Sequence, residues 1–176
     1  MSSMVLSGDT SGTVTVTVPA VAGTNTATLP AATGTVMVSG NMPAFSAYQS
    51  GTAQVLSASA WTKVIINTKE FDTASCFDST TNYRFTPTVA GYYQVNATVQ
   101  FAGGADNGSA IYKNGSIFKV GVFTVNPYGR ATNVSALIYL NGTTDYIEFY
   151  AYSNVTATVA TGLSATWFQA SMVRSA

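Results

Sequence analysis

Histidine is absent from this 176-residue chain, and cysteine occurs once, as Cys76. Without histidine there is no Ser-His-Asp or Cys-His catalysis and no imidazole metal site. A single cysteine builds no disulfide framework, and with no base to activate it Cys76 reads as a small buried or loop residue. Charge is scarce too. Charged residues make up 8% of the chain, against about 25% in an average soluble domain. Seven cations balance seven anions, so no basic patch forms and nucleic acid is not an expected partner. No apolar run approaches the roughly 20 residues of a membrane span, so no membrane insertion is expected. The first residues, MSSMVLSGDTSG, lack the basic region and long apolar run of a signal peptide.

What is present is a hydrophobic fraction of 47%, enough for one sizeable core. A surface so poor in charge is sticky unless other chains cover it, which points to an assembled protein. Six Asn-x-Ser/Thr sequons, at Asn96, Asn107, Asn114, Asn133, Asn141 and Asn154, read as a by-product of a Ser/Thr/Asn-rich β composition rather than as glycosylation sites.

Alternation dominates the chain. In the stretch 83–101, YRFTPTVAGYYQVNATVQF, Tyr93, Val95, Ala97, Val99 and Phe101 share one face. Tyr92, Gln94, Asn96, Thr98 and Gln100 share the other. A period of two over ten residues marks a half-buried strand. Its polar face carries no charge, only amides, a hydroxyl and a ring, and suits contact with another protein surface. The stretch is expected to be strand, turn, strand, with Gly91 supplying the positive φ of the turn. Asn114-Gly115 predicts a type I′ hairpin, and 133–140 with 146–152 predicts a second hairpin. Closing strand 165–173 completes eight or nine strands. β-branched residues, glycine and asparagine recur too densely for helix.

Residues 1–42 differ from the rest. GTVTVTVPA at 12–20 recurs as GTNTATLPA at 23–31, with a partial third copy at 34–36. Each copy alternates threonine with an apolar residue and is expected to form a short strand closed by proline. Three such strands cannot bury a core alone. Residues 1–42 are therefore expected to be a Thr/Gly/Pro-rich β arm or anchor, held through Val14, Val16, Val18, Leu29 and Val36, and 43–176 the main domain.

Many strands, spaced by turns and without helices, mean a sandwich or barrel. Phe85-Thr86-Pro87, Gly91-Tyr92-Tyr93, Tyr112 to Gly115, Leu137, Leu140 to Gly142, Tyr146-Ile147, Trp167-Phe168 and Met172-Val173 together resemble the all-β jelly-roll β-sandwich of complement globular heads and tumour-necrosis-factor ligands. The resemblance spans roughly residues 44–176. It implies a compact homotrimer. The repeats before it resemble linkers of bacteriophage virion surface proteins, which implies a location on the virion.

Little catalytic chemistry is legible. Glu70, Asp72 and Asp78 are near neighbours in sequence, and two carboxylates suffice for glycoside hydrolysis, but charges grouped in a loop are ordinarily a solvated loop. Some relatives of this jelly roll bind calcium through loop carboxylates. Asp72, Asp78 and Asp106 are the residues to consider, yet no stretch repeats a calcium-loop pattern. No cofactor is expected.

The leading expectation is a non-enzymatic structural protein of a phage virion, a homotrimer at the particle surface that decorates or cements the capsid by contact with the major capsid protein. The alternative is a fibre or knob that binds a host receptor or surface glycan. The trimer interface is expected on the face bearing Tyr146, Tyr150 and Tyr152, because Ile147, Phe149 and Ala151 claim the core side of the same strand.

Overall fold

The computed structural model describes residues 3–28, 31, 33–34, 36–102, 106–125 and 131–176. The chain divides into two compact units, Met1–Gly34 and Thr35–Ala176.

The first unit is a hairpin of β1 (Ser3–Ser7) and β2 (Thr13–Thr17). Met4 lies opposite Val16 and Leu6 opposite Val14. Alternation therefore gives the hairpin an apolar face and a face of serine and threonine broken only by Val5. Every strand residue is exposed. The first repeat copy forms a strand, Thr13–Thr17, paired with Ser3–Ser7, and the second copy carries no strand in its described residues, 23–28 and 31. There the Asn25 side-chain amide donates to the Ala22 carbonyl, a local bond that competes with a strand ladder. Leu29 lies outside the described residues. Val36 belongs to the second unit and forms no strand.

The second unit, the head, holds β3 (Ala44–Tyr48), β4 (Val55–Leu56), β5 (Ala60–Lys63), β6 (Thr68–Asp72), β7 (Phe77–Asp78), β8 (Arg84–Phe85), β9 (Gly91–Ala102), β10 (Asn107–Lys113), β11 (Ser116–Thr124), β12 (Ala131–Leu140), β13 (Ile147–Ser153), β14 (Ala157–Val159) and β15 (Trp167–Ser175). Among the described residues the single helical turn is Ser39–Asn41. One sheet runs β11-β10-β13-β8-β7, with β5 also on β13. The other runs β4-β14-β9-β15-β3-β6, with β12 also on β9. Every pairing is antiparallel.

The core lies between the sheets. Tyr93, Val95, Ala97, Val99 and Phe101 from β9 are buried, as are Ile147, Phe149 and Ala151 from β13, so both alternation patterns hold. Phe45 sits at the centre, stacked on Phe77 at 4.4 Å and Phe85 at 4.7 Å and edge-on to Phe168 at 5.0 Å. Each such ring contributes about 1.5–3 kcal/mol by leaving water. Cys76 is buried beside them.

Two local expectations change. Phe85 and β9 do not form a hairpin: β8 belongs to one sheet and β9 to the other, so 86–90 is a crossing between layers. Gly91 does not supply a positive φ; it begins β9. A Cβ there would lie 2.5 Å from the Arg174 carbonyl oxygen, so the glycine is needed for the close approach of β15. Likewise β12 and β13 pair with β9 and β10 rather than with each other. The loop between them is tied by Asn141, whose Oδ1 accepts the N–H groups of Thr143, Thr144 and Asp145. The Asn114-Gly115 hairpin is as expected, with φ of 53° and 80°. The glycine- and asparagine-rich stretch 103–108 reads from sequence as a loop and 126–129 as a turn; Asn107 and Gly108 instead open β10, while 103–105 and 126–129 lie outside the described residues.

Candidate assembly surfaces

Three surfaces of the head carry uncovered apolar or uncharged groups. The first is the outward face of the seven-stranded sheet. Register aligns Ser135, Asn96, Gln169 and Ser46 in one row, and Leu137, Gln94 and Ser171 in the next. Gln94 Nε2 donates to Ser135 Oγ at 3.0 Å, and that hydroxyl donates to Asn96 Oδ1 at 2.8 Å. Gln94, Asn96, Gln169 and Ser171 line a shallow groove, with the half-exposed ring of Phe71 at its rim. Among the described residues, charge enters this face only at its margins. Glu70 accepts the Ser46 hydroxyl, and Arg174 lies over the Tyr92 ring at 5.7 Å. Tyr92 in turn meets Tyr139 at 5.5 Å.

The second surface is the tyrosine face of the six-stranded sheet. Tyr150 stacks on Tyr112, Tyr152 packs between Trp61 and Phe123, and Tyr146 lies beneath the Arg84 guanidinium at 4.4 Å. Each ring is therefore half-buried within its own chain. Burial raises the phenol pKa of Tyr112, and that of Tyr150 with help from the Glu148 charge. Glu148, on the same face, is not the exposed charge that alternation alone implies. It is buried and paired with Lys63.

The third surface is β11, an edge strand. Ile117, Phe118, Val120, Val122 and Phe123 are all about half exposed. By register, Ile117, Val120 and Phe123 lie opposite Tyr112, Ala110 and Gly108, so they extend the tyrosine face to the sheet edge. Phe118 sits on the other side, where the Lys113 ammonium lies 5.8 Å from both its ring and that of Tyr139. Thus β11 joins the two aromatic faces. Its signal was in the sequence: SIFKVGVFT is apolar at odd and even positions alike, and an antiparallel strand with one solvated face does not look like that.

The carboxylates do not converge. Asp72 accepts the N–H groups of Cys76 and Phe77 and pairs with Lys69 at 3.1 Å. Asp78, on the other sheet, accepts the N–H groups of Thr80, Thr81 and Asn82. Asp106 exchanges hydrogen bonds with Asn154. Among the described residues no three acidic or thiol groups gather as metal ligands.

Pairing order, layer assignment and strand lengths decide the type of sandwich, and comparison agrees. Murine APRIL superposes with a TM-score of 0.60 at 10% identity, covering 75% of this chain and 99% of its own. The Eiger TNF of S. frugiperda gives 0.59 at 8%, covering 77% and 95%. The globular domain of zebrafish complement 1qA protein gives 0.56 at 16%, covering 76% and 99%. The head is a jelly roll of this type. No protein-family model matches the sequence, and no curated protein matches it. Identity this low speaks for the jelly roll alone.

Proposed function

We propose that this chain is a non-enzymatic structural protein of a bacteriophage virion, displayed on the particle surface as a homotrimer that decorates and cements the capsid. The observation that carries the reading is the half-exposed apolar strand β11 between two aromatic faces. A surface of that kind on a chain with 8% charge is interface material. The jelly-roll resemblance favours two further copies of the head as its occupants. The tyrosine face with Tyr146, Tyr150 and Tyr152 belongs to the same interface wherever β11 extends it. The arm supplies a separate attachment. Its hairpin has two unpaired edges and an apolar face of Met4, Leu6, Val14 and Val16, which favour strand addition to the major capsid protein.

The test has two parts. Sedimentation of the purified chain should return three times the mass of one chain; a monomer at micromolar concentration overturns the trimer. Imaging of particles should find copies in regular array over the capsid lattice. Copies confined to a tail or a vertex would instead mean a fibre or knob. One feature favours that second reading: the groove beside Phe71 offers amides and a ring to a host glycan.

A further inference from the structure

Four polar side chains point into the sandwich at one end of the head. Asn107 and Ser109 lie on the face of β10 that also carries Ile111, and all three are wholly buried. Thr124 is the direct cross-strand partner of Asn107. Thr132, 1% exposed, comes from the opposite sheet, where it pairs with Val99 near the end of β9. The end of β9 and the start of β10 are only a few residues apart in the chain, so Thr132 and Asn107 lie at the same end of the sandwich. On the outer side the Phe123 ring closes this end: a Cβ on Gly108 would meet it at 2.6 Å.

Both polar atoms of the Asn107 amide, and the hydroxyl oxygens of Ser109, Thr124 and Thr132, are buried without a hydrogen-bond partner among the described residues. Neighbouring polar groups do not share this fate. Ser153, opposite Asn107, accepts the N–H of Val155, and Thr166 donates to the Ala160 carbonyl. Five bare polar atoms in one place are a heavy cost for a jelly roll whose core is otherwise aromatic and aliphatic.

We propose that this end of the sandwich is an internal hydration site, where Asn107, Ser109, Thr124 and Thr132 hold ordered water. The lining selects the guest. The amide NH₂ and three hydroxyls donate, while the amide oxygen and the same hydroxyls accept. A cation would face the NH₂ donors. An anion would face the amide oxygen, and no charged group is there to neutralise either. An apolar guest would satisfy nothing. Water donates and accepts at once, and buried polar groups left without protein partners are what internal water serves.

The test uses the full chain. Water-to-protein cross-relaxation by NMR should show long-lived water at the Asn107 side-chain amide. Direct hydrogen bonding of that amide to a protein oxygen, with no water contact, overturns the proposal. Thr132→Val, which keeps shape but removes one partner, should lower Tm, and Thr132→Ser should restore it. An unchanged Tm for Thr132→Val also overturns it. Exchanging sodium for potassium, or chloride for sulfate at equal ionic strength, should leave the Asn107 amide resonances in place. An ion-specific shift would assign the site to that ion instead.

Discussion

Tyr150 and Tyr112 stack face to face, with ring centroids 3.7 Å apart and planes 16° from parallel. Their strands are adjacent and their register is diagonal: Tyr150 lies opposite Ala110, and Tyr112 opposite Glu148. The small side chain of Ala110 leaves room for Tyr150 to lean onto Tyr112. The pair therefore steadies β10 against β13 within one chain, before any partner arrives. Stacked pairs of this kind are worth about 0.5–1.5 kcal/mol beyond their burial. Tyr112→Ala should lower stability by about 1–3 kcal/mol once lost ring burial is included, measured by denaturant unfolding.

The edge strand gives the sharpest test of assembly. Val120→Asp combined with Val122→Asp places a charge on each side of β11 without touching the core. The variant should stay folded by circular dichroism and sediment as a monomer. A folded trimer would move the interface off β11. Tyr150→Lys combined with Tyr152→Lys then asks how far the interface reaches. It should also dissociate, and a trimer that survives it confines the contact to β11 and the seven-stranded sheet.

Lys63 and Glu148 are unequal partners. Glu148 is buried, while the Lys63 side chain is 32% exposed. Lys63→Met strands a carboxylate in the protein and should cost about 1–3 kcal/mol, below the range for a fully buried pair because water still reaches this one. Glu148→Gln leaves a lysine that turns to water, and should cost less. The order of the two melting temperatures is the readout; the reverse order would mean the pair is held by Lys63's bond to the Asn82 carbonyl instead.

Acid should loosen the head. Asp78 is held far below the ordinary carboxylate value, first by the N–H groups of Thr81 and Thr80. Asp145 is lowered by hydrogen bonds from the Asn114 amide and Lys113. For Asp72, burial pushes upward, but the N–H groups of Phe77 and Cys76 and the Lys69 ammonium outweigh it. Each folded value lies below the unfolded one of 3.8. The stability they contribute is therefore complete above that value and is lost as pH falls below it. Tm should hold down to about pH 5 and then decline. Asp78→Asn, which keeps an acceptor but cannot titrate, should show a shallower decline. An equal slope would remove Asp78 from the account.

Removal of residues 1–42 should leave the head folded and still trimeric but unable to take its place on the particle. Normal incorporation of the truncated protein would assign attachment to the head.

Much of the fold was legible because alternation is a local signal. The inward sets of β9 and β13 follow from period two, and the Asn114-Gly115 turn from its demand for positive φ. Pairing was not legible in the same way. β12 and β13 look like a hairpin because they are neighbours in sequence. That they join different sheets depends on partners in β9 and β10, which no window of the chain contains. Glu148 shows the same limit: alternation places it outward, and only the fold brings Lys63 over it. For the assembly surface, the doubly apolar pattern of 116–124 was visible, but its meaning depends on β11 lying at an edge.

β15 lies between β9 and β3, in the middle of its sheet, yet it follows every other strand in the chain. Gly91 gives way to its backbone, and Ala176 donates to the Ala90 carbonyl. During synthesis, β9 and β3 must wait for residues 167–175 to leave the ribosome before the sheet can close. A nascent chain therefore cannot present a finished head, and a prematurely stopped one lacks the strand that joins its two halves. A head that lacks residues 167–175 leaves β9 and β3 without the strand that bridges them.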